Sequence, residues 1–167
     1  MSIKTYRDLL DLLDREGVTH QAEPAAKSVR IPTERNGVDG VQLIRWQDED
    51  AVLQFVQSMP LEIAAARLAA VESAVSRLNH ALAWPGLDID HERGRLAYRL
   101  VLPLAAAGLD AATVRATFRA AVRAAAELVP TMGRIAAGTL LPEAAVDDLR
   151  STFTKPTGAA PMIFPID

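Results

Sequence analysis

Asp88, Asp90, His91 and Glu92 form the densest run of groups that could do chemistry. Strand alternation would aim both aspartates at one face with Glu92 close by, an oxygen-rich set suited to a hard divalent cation. The competing reading is a solvated hairpin end, where acidic side chains favour turn formation and solubility. It prevails, because no helix-borne His or Glu pair completes a metal motif. A second candidate is Arg115, Arg119 and Arg123, which recur every fourth residue on a helix and build a basic ridge able to grip phosphates or an acidic peptide. Such a ridge is more often a solvated face with local counter-charges, and a net charge of -3 with a pI near 5.6 leans the same way. The stacking aromatics of a single-strand binder are scarce: Trp46 and Phe55 read as sheet residues, and Trp84 sits at a helix end before Pro85. His20, His80 and His91 stand in unrelated contexts, and there is no nucleophile elbow, phosphate-cradling glycine loop or dinucleotide fingerprint. Cysteine is absent, which excludes thiol catalysis, thiolate metal sites and disulfides. The chain is therefore expected not to be an enzyme, with no cofactor and no metal.

A length of 167 residues fits one domain, and folding at that size buries roughly 70% of the extended chain's surface. Half of the residues are hydrophobic and 23% are charged, the balance of a globular protein. The opening MSIKTYRDLLDLLDRE alternates charges with leucines, unlike a signal peptide. No stretch approaches the ~18 consecutive apolar residues that cross a bilayer. A cytoplasmic location without membrane association is expected.

The elements that must position these groups read in order. Ile3, Tyr6, Leu10 and Leu13, widened by Leu9 and Leu12, make an amphipathic helix, with Ser2 or the Thr5 and Asp8 pair at its start and Gly17 at its end. A looser stretch with His20 and Pro24 leads to SVRIP, a short strand in which Val29 and Ile31 alternate with polar residues; Pro32 cannot donate to a ladder, which predicts a sheet edge. ERNGVDG supplies turn chemistry. VQLIRWQ and AVLQFVQ, joined by Asp48-Glu49-Asp50, read as a hairpin whose Ile44, Trp46, Leu53 and Phe55 share a face. Val41, Leu43, Val52 and Val56 make the other face apolar too, which predicts that both faces are covered by helices, a second subunit or a ligand. Pro60 stands where a helix over residues 61–83 would begin, with a packing seam of Leu68, Val71, Val75, Leu78 and Leu82.

The run LNHALAWPGLDIDHERGRLAYRLVLP, residues 78–103, then gives a helix end, a tight hairpin turning at Gly94, and a return strand with Leu96, Tyr98, Leu100 and Leu102 on one face. Asp110 can cap a long helix whose Val114, Phe118, Ala121, Ala125, Leu128, Met132 and Ile135 hold an unbroken seam up to Gly138; Pro130 should kink or divide it. Pro142 starts a short helix with Val146, Leu149 and Phe153, and TKPTGAAPMIFPID runs out as a connector with an apolar tip.

This order, together with Leu78-Asn79, Gly86-Leu87, Asp90, Gly94, Leu96-Ala97-Tyr98-Arg99 and Leu102-Pro103, resembles the YbjN-like family, described as putative bacterial sensory transduction regulators. That family in turn resembles the class I type III secretion chaperones in fold. The resemblance covers about residues 3–138 by element order and is densest over 78–103. It implies an α+β fold: a twisted antiparallel sheet of about five strands flanked by helices, in the order α-βββ-α-ββ-α, with the C-terminal helix and tail outside it. The expected domains are 1–138, with 139–167 packing on it or on a sister subunit. The resemblance also implies a homodimer that binds extended segments of other proteins and carries no catalytic motif. The dimer suggestion maps onto Leu68, Val71, Val75, Leu78 and Leu82, whose alternative is packing on the chain's own sheet.

The expected function is accordingly a dimeric, non-enzymatic adaptor or chaperone-like protein that captures an extended or disordered segment of a partner, in a regulatory or stress-response role. Val29 and Ile31 mark the partner-binding edge, through main-chain strand addition. Nucleic-acid binding through Arg115, Arg119 and Arg123 is the alternative, and nucleic acid is disfavoured as a direct ligand. The tip Met162, Ile163, Phe164 and Ile166 is expected to fill the client groove or to reach a sister subunit.

Overall fold

The computed structural model describes residues 2–153. Its strands are β1 (Ser2–Ile3), β2 (Gln21–Glu23), β3 (Ser28–Arg35), β4 (Val38–Gln47), β5 (Val52–Glu62), β6 (Leu87–Asp90), β7 (Arg95–Pro103) and β8 (Leu109–Asp110). The helices are α1 (Tyr6–Arg15), α2 (Leu68–Ala81), α3 (Ala111–Ala136) and α4 (Ala145–Phe153). Six strands form an antiparallel sheet in the order β2-β3-β4-β5-β7-β6, and β1 pairs with β8 in a separate two-stranded ladder. The α+β class is as expected, with one more sheet strand than the sequence suggested. The tail tip from Met162 onward lies outside the described residues. Among those residues, no helix is long and apolar enough to cross a membrane.

Two compact units share the chain, Met1–Met59 with Tyr98–Ala126 and Pro60–Ala97 with Glu127–Asp167. In the first unit α1 begins with a capping box: the Thr5 hydroxyl accepts from the Asp8 amide at 3.1 Å, and the Asp8 carboxylate accepts from the Thr5 amide at 2.9 Å. The helix ends in a Schellman pair, the Gly17 amide donating to the Asp14 carbonyl and the Val18 amide to Leu13, both at 3.0 Å. Ile3 is not in this helix but pairs with Leu109, fully buried.

The Asn36-Gly37 turn joins β3 to β4 with positive φ at both residues, 54° and 75°, as a two-residue hairpin demands. The register sets Ile44 opposite Phe55 and Trp46 opposite Leu53, so these four share a face as read, each no more than 5% exposed. On the other face Val41 is 43% exposed, Leu43, Val52 and Val56 are half-buried, and Gln54 is 8% exposed.

β2 corrects the reading of the loop before SVRIP. Gln21, Ala22 and Glu23 pair with Arg30, Val29 and Ser28, and β2 becomes the sheet's outer strand there. All three side chains are exposed, so no burial pattern marked them as a strand.

In the second unit β5 runs on through Pro60 to Glu62, and α2 starts at Leu68 rather than near residue 61. Proline's fixed φ suits an extended chain as well as a helix start. The Ile63 amide then donates to the Gly94 carbonyl at 2.8 Å, holding the segment extended past the strand. Asn79 organises the approach to β6: its side-chain oxygen accepts from the Gly86 and Leu87 amides at 3.0 and 2.9 Å, while its amide donates to the Leu87 carbonyl at 2.9 Å. α3 passes through Pro130 without dividing. Near its C-terminal end the Arg67 guanidinium donates to the Ile135 carbonyl at 2.7 Å, a cation placed where the helix dipole favours one. The Asp148 carboxylate on α4 accepts from Thr131 at 2.8 Å and pairs with Arg134.

Candidate partner-binding groove

The C-terminal half of α1 and the N-terminal half of α3 meet over β4 and leave a cavity of about 140 Å³ in the first unit. Two helical rows build the α3 wall. Val114 and Phe118 stand at i and i+4, buried and half-buried, and Arg115 and Arg119 follow one residue on. Leu12 and Leu13 come from the buried stripe of α1, Val18 from the turn that ends it, and Ile44 from the sheet. The turn geometry matters here, because the Schellman hydrogen bonds fix Val18 at the cavity's margin.

At the mouth the Arg115 guanidinium donates to the Glu16 carboxylate at 2.6 Å, tying the end of α1 to α3. Both side chains are partly exposed, 41% and 32%, so this is a solvent-screened tie worth at most about 1 kcal/mol. Arg119 is exposed and has no hydrogen-bond or ion-pair partner among the described residues. Arg123 is half-buried and already engaged. The basic ridge therefore resolves into one cation held by a counter-charge, one free and one otherwise occupied. The lining of Leu12, Leu13 and Val18 was not singled out as a site by the sequence; the aromatic Phe118, flanked by Arg115 and Arg119, was the available signal.

The other sequence candidates fall elsewhere. Val29 and Ile31 are 0% and 2% exposed, paired with Ile44 and Gln42 of β4, so only the main chain at this edge could meet a partner. Over Ser28–Arg30 that outer side is taken by β2. The seam of α2 is largely buried: Val71 and Leu78 are 0% exposed, Leu82 5% and Val75 8%, with Leu68 half-buried. Its helix packs against β6, α4 and the turn before α4.

The acidic hairpin end is occupied by local bonds. Asp90 accepts from the Arg93 amide at 3.0 Å and from its guanidinium at 2.9 Å, and these hold its carboxyl below the usual aspartate value. His91 lies 3.8 Å from Glu72, and Asp88 also has a partner. Among the described residues no group of three or more His, Cys, Asp or Glu is placed to hold a metal ion. A similar turn lock joins β4 to β5, where Asp48 accepts from Lys27 and from the Trp46 indole, and its carboxyl too is lowered.

The family model YbjN, described as "Putative bacterial sensory transduction regulator", matches residues 7–134. That span contains every residue lining the groove and excludes α4. No curated protein matches the chain.

Proposed function

This chain belongs to the YbjN family, and from that membership and the groove between α1 and α3 we propose that it is a non-enzymatic regulatory adaptor that captures a segment of a partner protein. The groove is the observation that carries the reading. An apolar cavity open at a mouth that bears a free arginine offers a buried anchor point and a charge to orient what enters. Regulation follows from occupancy: a partner segment held here is withheld from, or presented to, something else, and no bond need be made or broken. A homodimer belongs to the same proposal through the resemblance to secretion chaperones, and sedimentation of the intact chain at micromolar concentration tests it separately.

The direct test compares affinity capture from the native cell extract by the intact protein and by its Val18→Trp variant, with the retained proteins identified by mass spectrometry. Val18 is half-buried at the margin of the cavity, so an indole there fills space without emptying any core site. A partner retained by the intact protein and lost with the filled groove is the expected result. Equal retention by both, or salt-sensitive retention of nucleic acid in place of protein, would contradict the proposal.

A further inference from the structure

Resting on the capture reading above, we infer that the groove selects partner segments carrying one branched or aromatic anchor side chain with a carboxylate within about one helical turn of it, and that Arg119 receives that carboxylate. Size sets the first half of this specificity. A cavity of about 140 Å³ is close to the ~150 Å³ that accommodates a benzene ring, and well short of the ~300 Å³ at which pockets begin to enclose whole metabolites. One Phe, Leu or Ile side chain fills it.

Charge sets the second half. Arg115 and Arg119 stand one turn apart on α3, beside the Val114 and Phe118 row that lines the cavity. Arg115 is neutralised by Glu16, whereas Arg119 is exposed and unpartnered among the described residues. An anchor inserted beside Phe118 therefore carries its neighbours past an unsatisfied guanidinium, which can take a carboxylate in bidentate geometry and repels a lysine or arginine. Glu16 is the built-in competitor: its carboxylate already occupies the second cation, so its removal should leave two cations for an acidic segment.

The test is selection of a random dodecapeptide display library on the intact chain, on Arg119→Glu and on Glu16→Gln. Arg119 is exposed, and Glu16 is partly exposed in a solvent-screened tie, so the variants should keep the wild-type far-UV circular dichroism spectrum. Sequences enriched on the intact chain should pair an apolar anchor with Asp or Glu within four residues. A selected synthetic peptide should lose about tenfold in affinity on Arg119→Glu and gain about threefold on Glu16→Gln, both changes shrinking as salt is raised toward about 1 M. Enrichment indifferent to charge, an unchanged affinity on Arg119→Glu, or weaker binding on Glu16→Gln would overturn the inference. So would a groove taken by another copy, seen as self-association that Val18→Trp abolishes, or by the chain's own segment, seen as a 154–167 peptide that displaces every selected sequence. If capture from extract is lost on Val18→Trp while the library shows no carboxylate preference, the adaptor reading stands and this specificity falls; if neither capture nor enrichment occurs, both fall.

Discussion

Replacing Gly94 with alanine should cost far more than the same change at Gly37, although both glycines have positive φ, 60° and 75°. An L side chain in the left-handed region costs about 1–2 kcal/mol, and that cost is common to both sites. At Gly37 nothing lies within 4 Å of an added Cβ, so the backbone term is the whole expected effect. At Gly94 the new Cβ would stand 2.4 Å from the Ile63 carbonyl oxygen, a backbone atom that cannot swing aside. Relief requires the turn to move off Ile63, and the 2.8 Å bond from the Ile63 amide to the Gly94 carbonyl is lost with it. That bond contributes about another 1 kcal/mol, and a donor left buried would cost more. The expected totals are about 1–2 kcal/mol for Gly37→Ala and about 2–4 kcal/mol for Gly94→Ala. Urea unfolding followed by far-UV circular dichroism reads the difference: with a slope of about 2 kcal/mol/M, the Gly94 variant should lose about 0.5–1 M more in midpoint than the Gly37 variant. Equal midpoints would refute the close approach of the hairpin turn to Ile63, and with it the explanation of why β5 continues past Pro60.

Thr5→Ala should cost about 1 kcal/mol in urea melts near neutrality, by removing one half of the capping box. The other half titrates: hydrogen bonds from the Lys4 amide and the Thr5 side chain and amide hold the Asp8 carboxyl below its ordinary 3.8, so its contribution is complete above that pH and is lost as pH falls through the lowered value. The cost of Asp8→Ala should shrink accordingly below pH 3.8, and a cost that grows on acidification would contradict the cap. Leu78→Ala empties a fully buried site and should cost about 3–5 kcal/mol at every protein concentration; a loss that scales with concentration would instead put the α2 seam between subunits. Gln42 is fully buried on the core face with neither side-chain polar atom partnered among the described residues. Gln42→Leu should therefore raise the unfolding free energy by about 1–2 kcal/mol, and a lower midpoint would show that the amide is satisfied.

Much of this fold was legible because periodicity and punctuation agreed. The β4–β5 hairpin announced itself by alternation, and Ile44, Trp46, Leu53 and Phe55 share a face as the pattern implied; the register that pairs Ile44 with Phe55 and Trp46 with Leu53 came from the structure. Thr5, Asp8, Gly17 and Asp110 marked helix ends through local hydrogen bonding that does not depend on tertiary context. What escaped detection has the opposite character. β2 is three exposed residues in main-chain pairing with β3, so no side-chain burial pattern recorded it. Pro60 carries a φ compatible with two fates, and the partner that decided between them, Gly94, lies far along the chain. The groove was half visible: Arg115 and Arg119 were read as a ridge, but the pairing of Arg115 with Glu16 and the convergence of Leu12, Val18 and Ile44 arise only when distant elements pack. The α2 seam was read as a stripe needing cover; Val71, Val75, Leu78 and Leu82 are buried, and the helix packs against β6, α4 and the turn before α4.

The central claim, that the α1–α3 groove holds a segment of a partner protein, is tested most directly by placing a photoreactive benzoylphenylalanine at position 118, on the groove wall, and irradiating the protein in its native cell extract. The expected result is a discrete protein adduct formed from position 118, absent from a Val18→Trp background and absent when the same probe is placed at exposed Lys4. Adducts that form equally from Lys4, that persist with the groove filled, or that contain nucleic acid instead of polypeptide would contradict it.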